Sequence, residues 1–259
     1  MMSSTRPEPS SDSSPFAGKT ALITGASKGI GRAVALALAQ RGVQVIAVAR
    51  GKAALESLDD AIRAEGGSAT LVPLDLADPQ AVSQLCAQVL ERFEQLDMVI
   101  GNTATLGPLG PLSALSSQAW NRILSVNLTA NLVLMQSLEA RLRASKAGRA
   151  LFIASDTASR HPAFWGAFAA SKAALEALVM AWAKEQKGTS LKVNLLDPGM
   201  TATDMYAEAF PGRDLSALKT ANALVPVFLA LLDPKSEYHA QRIEAEAWLA
   251  GSGPKLAQD

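Results

Sequence analysis

The sequence predicts an α/β fold built on a parallel sheet, and three observations carry that expectation. Short apolar, β-branched runs alternate with longer helix-forming segments from Ala21 to Lys187. The first run stops at a cluster of glycines and restarts as an amphipathic helical pattern. Hydrophobic residues make up 49% of the 259 residues, enough for a sizeable core. Strands separated by helices need long crossovers, which are right-handed and leave the strands parallel.

Composition narrows the function. Lys plus Arg and Asp plus Glu balance at 24 each, so nothing favours a nucleic-acid partner or an anionic membrane. No apolar run reaches membrane-spanning length. The single cysteine, Cys86, lies in an apolar helical pattern and reads as a buried structural thiol, which fits a reducing, cytoplasmic setting. His161 and His239 stand far apart, and no Cys/His ligand spacing exists, so no metal site is expected. Residues 1–15 are rich in Ser and Pro and lack an apolar h-region, so they read as a disordered tail and not a signal peptide. One domain is expected over 16–250, with a loose tail over 251–259.

The elements follow in order. Leu22 and Ile23 mark the first strand, Gly25, Gly29 and Gly31 the turn, and Val34, Leu36 and Leu38 the first helix. Such a turn aims the free N–H groups of the first helical turn above the sheet. Glycine lets the backbone approach a pyrophosphate closely. The spacing is G-x-x-x-G-x-G and not the better-known G-x-G-x-x-G. Val43 to Val48 is the second strand, followed by Ala49, Arg50, Gly51 and Lys52. A dinucleotide fold meets the adenosine ribose here, and an acidic residue would hold the 2′-hydroxyl of NAD. None is present. Arg50, with Lys28 in the glycine turn, suits a 2′-phosphate, so NADP(H) is expected ahead of NAD(H).

A helix over 53–64 stops at Gly66-Gly67, and Ala69 to Pro73 is the third strand. Asp78-Pro79 opens a helix to about Phe93. Met98 to Ile100 is the fourth strand, and a loop rich in Gly, Pro and Leu then runs to Leu115. Ser116 or Ser117 caps one long helix to about Arg143, and Ala150 to Ala154 is the fifth strand. A helix over 167–187 and a sixth strand, Leu191 to Leu196, lead to Asp197-Pro198-Gly199. The connection from Met200 to Lys219 is long enough to serve as a substrate lid. Ala221 to Leu232 reads as a helix, and Gln241 to Trp248 alternates like a last edge strand.

The motifs Thr24-Gly25-Ala26-Ser27-Lys28-Gly29-Ile30-Gly31, Asp75, Asn127, Ser155, Ala170-Ser171-Lys172 and Pro198-Gly199 together resemble the short-chain dehydrogenase/reductase family over residues 16–248. The resemblance implies a Rossmann-type, three-layer αβα fold with a seven-stranded parallel sheet. It also implies a nicotinamide cofactor, a small-molecule substrate and a homodimer or homotetramer. Carried over position by position, Gly25, Gly29, Ile30 and Gly31 line the pyrophosphate. Ser27, Lys28 and Arg50 meet the adenosine ribose and its phosphate, and Asp75 with Leu76 flanks the adenine. Asn102 packs against the cofactor from Gly101-Asn102-Thr103-Ala104, where the family carries N-N-A-G. Lys172 bonds the nicotinamide ribose, and Pro198, Gly199 and Thr203 lie beside the nicotinamide.

The family pattern breaks at the proton donor. Its members carry Tyr-x-x-x-Lys, in which the lysine lowers the pKa of the tyrosine. The residue four before Lys172 is Phe168. Asn127, Ser155 and Lys172 fill the other catalytic positions. The seven-residue spacing of the enoyl reductases meets Trp165, which does not help. Tyr206, Asp156 and His161 are the substitute donors near the site in sequence. Ala163-Phe164-Trp165-Gly166, Met200, Met205 and Phe210 read either as an apolar substrate wall or as ordinary core. The expected function is hydride transfer between NADP(H) and a carbonyl or secondary alcohol, impaired by Phe168. The alternative is a cofactor-binding regulator or scaffold without turnover. A deliberate Tyr-to-Phe replacement is a third account of the same letters.

Overall fold

The first strand, β1 (Thr20–Thr24), is buried along its whole length. The computed structural model to which it belongs describes residues 14–251. Side chains alternate across β1, so Leu22 joins one hydrophobic cluster and Ile23 the other. A glycine turn leads to α1 (Gly29–Ala39), and β2 (Gln44–Ala49) returns parallel to β1, with Leu22 beside Ile46. Next come α2 (Lys52–Ala64), β3 (Ala69–Pro73) beside β2, and α3 (Pro79–Arg92). The Asp78 carboxylate caps α3 by accepting the amides of Gln80 and Ala81. β4 (Met98–Gly101) then pairs with the opposite edge of β1.

From there the sheet grows the other way. α4 (Ser117–Leu124), α5 (Ala130–Ala144), β5 (Arg149–Ile153), α6 (Thr157–Arg160), α7 (Gly166–Glu185) and β6 (Lys192–Asp197) follow. The chain ends with β7 (Thr201–Ala202), α8 (Asp204–Ala209), β8 (Lys219–Thr220), α9 (Val225–Leu232), β9 (Gln241–Glu244) and α10 (Ala245–Leu249). The main sheet has seven strands in the order β3-β2-β1-β4-β5-β6-β9. Every adjacent pair is parallel. Val34 and Leu38 of α1, Leu55 of α2 and Phe228 of α9 cover one face. Leu85 of α3, Leu138 of α5 and Trp182 of α7 cover the other, giving three layers. Cys86 is buried in that second layer, and burial pushes its thiol up to about 11. It is a structural thiol.

Four local expectations change. The long helix predicted from Ser116 to Arg143 is two helices separated by a π-turn over Ser125–Thr129. The wider turn puts Asn127 against Thr105 and Ser171. The Met200–Lys219 connection is not bare loop: Thr201 and Ala202 pair with Lys219 and Thr220, and α8 lies between them. The strand predicted to Trp248 stops at Glu244, where its pairing with the last residue of β6, Asp197, ends, and α10 follows with the Glu246 carboxylate 2.8 Å from Lys219 Nζ. Finally, Ser14 and Pro15, expected in the tail, open a turn in which the Ala17 amide donates to Ser14 O. Residues 1–13 and 252–259 of the two predicted tails lie outside the described residues.

Candidate active site

The strand order reverses between β1 and β4, so the connections leaving those two strands diverge and open a crevice. A cleft of about 1010 Å³ runs from there across the carboxyl ends of the sheet to α8.

At one end stands the glycine turn. Gly25 and Gly29 have φ of 66° and 50°, a region that favours glycine. A Cβ at Gly31 would overlap the Gly25 carbonyl oxygen, so this glycine lets α1 close onto β1. Asn102 Nδ2 donates to Thr24 O and Gly25 O at 3.0 and 3.3 Å, and Thr24 Oγ1 accepts the Asn102 and Thr103 amides. The end of β4 thus holds the turn in shape. Lys28, the N-cap of α1, gives no side-chain cap, and the first turn contains no acid. Its amides are left for an external anion. The cradle therefore fits a diphosphate. Gly31→Ala is expected to cost about 2 kcal/mol of stability through that overlap, read as a lowered midpoint in urea unfolding.

Ala49 is buried at the end of β2, and Arg50 is exposed beside the cleft with no ion-pair partner among the described residues. Asp75 accepts the Ala77 amide and pairs with Arg122 Nη2 at 3.0 Å. Burial opposes ionisation there, but these bonds win and hold its carboxyl below the usual range. Leu76 lies beside it, buried, on the cleft wall. Lys28 does not stand free next to Arg50: its Nζ meets Asp204 Oδ2 of α8 at 2.9 Å, across the cleft mouth. Both side chains are exposed, so the pair is weak and yields to a stronger anion.

At the other end α7 presents Phe168 and, one turn later, Lys172. Lys172 is 4% exposed, and its Nζ donates to Ile153 O at 2.8 Å. Burial pulls its ammonium down to about 8, with nearby Asp197 opposing the shift. Nζ lies 5.8 Å from the centroid of the Phe168 ring. Ser155 Oγ is 2.9 Å from Thr157 Oγ1, at the end of β5. Pro198, Gly199 and Thr203 line the same cleft beyond β6. Gly199 donates its amide to Asp197 Oδ1, and Arg242 of β9 holds Asp197 Oδ2 at 2.7 Å. Burial still leaves the Asp197 carboxyl above its ordinary value.

Two expected site residues, Gly31 and Asn127, do not line the cleft. Asn127 lies behind the wall, fully buried. Its side chain binds the Thr105 backbone and Ser171 Oγ, and its carbonyl accepts from Asn131. It clamps the π-turn to α7. His161 is exposed, closes α6 at φ 48°, and is absent from the cleft lining, so it is poorly placed as a donor. Tyr206 and Asp156 do line the cleft, the first with its hydroxyl toward Met200 and the second paired with Arg160. Of the proposed apolar wall, Trp165, Met200, Met205 and Phe210 face the cleft, whereas Ala163, Phe164 and Gly166 do not. Sequence reasoning missed Arg122 and Asp197, since each acquires its partner only through tertiary closure.

An open parallel sheet with one reversal of strand order, and an uncapped helix start over that reversal, is the Rossmann-type architecture. The chain belongs to the short chain dehydrogenase family, whose model matches residues 19–214. It is 35% identical over 218 residues to the uncharacterized oxidoreductase YciK of Escherichia coli (strain K12), covering 83% of this chain and 86% of the relative. An NADPH-dependent aldehyde reductase of Arabidopsis thaliana is 30% identical, covering 82% of this chain and 84% of the relative. A short chain dehydrogenase structure from Shigella flexneri 2a, complexed with NADP, superposes with a TM-score of 0.85 at 33% identity. That match covers 90% of this chain and 99% of the other. Among the described residues no cluster of three His, Cys, Asp or Glu is placed to hold a metal ion. No described helix is long and apolar enough to cross a membrane.

Proposed function

We propose that the chain is an oxidoreductase that moves a hydride between NADP(H) and a carbonyl or secondary alcohol. The observation that carries this reading is the single cleft joining the uncapped glycine turn to Ser155 and Lys172. The nicotinamide, when bound, supplies or takes the hydride. The first-turn amides of α1 hold the diphosphate, with Gly25, Ser27, Gly29 and Ile30 against it. Arg50 takes the 2′-phosphate, and Lys28 joins it once released from Asp204. The Lys172 ammonium, having given one N–H to Ile153 O, turns its others toward the ribose. Ser155 Oγ donates to the substrate oxygen, its position steadied by Thr157.

The phenol expected at position 168 is an aryl ring instead, so proton delivery falls to weaker groups and turnover is slow. Solved structures of similar proteins, one complexed with NADP and one with NADPH, support the choice of nucleotide. So does the lack of an acid at the end of β2. A homodimer or homotetramer in a reducing, cytoplasmic setting completes the reading, and light scattering on the purified chain tests the assembly. Arg50→Ala is expected to weaken NADPH binding about tenfold and NADH binding less than twofold, read by quenching of tryptophan fluorescence. Equal losses for both nucleotides would remove the 2′-phosphate assignment. Binding of neither nucleotide would remove the proposal.

A further inference from the structure

The cleft carries six basic side chains: Lys28, Arg50, Arg122, Arg160, Lys172 and Arg213. Four of them already meet an acceptor within the chain. Lys28 pairs with Asp204, Arg122 with Asp75 and Arg160 with Asp156, while Lys172 is bonded to the Ile153 carbonyl. Two remain without a side-chain or carbonyl acceptor among the described residues, one at each end: Arg50 and Arg213. Arg50 is accounted for by the 2′-phosphate of the proposed cofactor. The proposed function gives Arg213, beside Tyr206 and Phe210, no task.

Its surroundings point to one. Four rings run along the substrate end as a chain. Phe168 and Trp165 have centroids 5.9 Å apart, Trp165 and Phe210 5.7 Å, and Phe210 and Tyr206 4.8 Å. The Arg213 guanidinium carbon lies 5.7 Å from the Tyr206 ring and 5.6 Å from the Phe210 ring. A guanidinium over ring faces still has its N–H groups to give, and among the described residues none of those of Arg213 meets an acceptor. A fork beside aromatic walls matches a carboxylate on a flat, apolar body. Glu208 is the cleft carboxylate without a basic partner among the described residues, and it is exposed on α8. It offers a cation only a solvated contact, with no ring behind it in the aromatic chain.

We infer that the substrate end binds an aromatic carbonyl compound bearing a carboxylate, its ring against Trp165 and Phe210 and its carboxylate on Arg213. This rests on the oxidoreductase reading above for the orientation of the carbonyl toward Ser155, but the aromatic acid subsite itself does not need turnover. It is therefore tested by binding. Three para-substituted acetophenones of one shape serve as probes: 4-acetylbenzoate, its neutral amide 4-acetylbenzamide, and the cationic 4-(aminomethyl)acetophenone. Each is titrated calorimetrically into the full chain with and without NADP⁺, and into Arg213→Gln and Glu208→Gln.

The acid is expected to bind about tenfold more tightly than the amide. Arg213→Gln should erase that difference, while Glu208→Gln should leave it or widen it. Arg213 is exposed, so its loss leaves the fold intact. An amide or amine that binds as tightly as the acid overturns the inference. So does an acid preference that survives Arg213→Gln, or failure of all three probes to bind. Failure of NADP⁺ alone counts against the cofactor reading, and the acid-to-amide ratio on the nucleotide-free chain then decides the subsite.

Discussion

Phe168→Tyr is expected to raise kcat for NADPH-dependent carbonyl reduction about a hundredfold, with much less change in KM. Hydride addition to a carbonyl creates an alkoxide, and the proton it takes must come from a group in contact with it. Phe168 is 6% exposed, lines the cleft, and has its ring 5.8 Å from Lys172 Nζ. A phenol there would gain the ammonium as a neighbour, which favours its anion and readies its proton for transfer. The ring already packs edge-on to Trp165, so one added oxygen at the cleft wall disturbs little core. The measurement is steady-state NADPH consumption with a panel of small ketones and aldehydes, for both proteins. A gain confined to kcat places the missing step at proton transfer. An unchanged kcat would mean that Ser155, Tyr206 or Asp156 already serves as donor. In that case Tyr206→Phe and Asp156→Asn identify which one by the loss they cause.

The sheet was legible because its signals are local. Each strand from Thr20 to Asp197 contains a short apolar run, and glycine or proline stands at or just after the ends of β1, β2, β3, β4 and β6. Gly31 is fixed chiefly by the nearby Gly25 carbonyl it must pass, with Asn102 Nδ2 from the end of β4 also close. The π-turn at Ser125–Thr129 was not legible, since its helical periodicity is unbroken. It goes with bonds from Asn127 to Thr105 and Ser171, 22 and 44 residues away. The site divides in the same way. Gly25, Arg50, Ser155, Lys172 and Pro198 follow strand ends or motif spacing, and the structure gathers them on one cleft. Pairings that span the chain could not be read off: Lys28 with Asp204 is 176 residues apart, and Arg122 with Asp75 is 47. Arg213 carried no motif. Among the described residues it and Arg50 are the cleft cations without an acceptor, which only the folded chain reveals.

Lys172→Met is expected to stabilise the fold by about 2 kcal/mol near pH 7 while abolishing any turnover. The sign follows from the direction of its shift. Burial draws the folded-state value down from 10.5 to about 8, because a charged ammonium is poorly solvated there. Below the folded value both states are protonated, and the folded state bears the whole desolvation cost. Between about 8 and 10.5 the unfolded chain binds more protons than the folded one, so this group makes stability rise with pH. The full rise across that window is roughly 3 kcal/mol. Removing the ammonium removes the cost at neutral pH, less about 1 kcal/mol for leaving Ile153 O without its donor. Asp197 keeps Arg242 as its counter-charge in the variant, so no new unpaired carboxylate is created. Urea unfolding of both proteins near pH 7 and near pH 10 checks the argument. The gap should be wide at the lower pH and close at the higher. A variant less stable at both would show that Lys172 is better solvated than its burial implies. A cation buried at a cost to stability, 5.8 Å from the ring centre at position 168, is explained by the function proposed above, which gives its charge to the nicotinamide ribose.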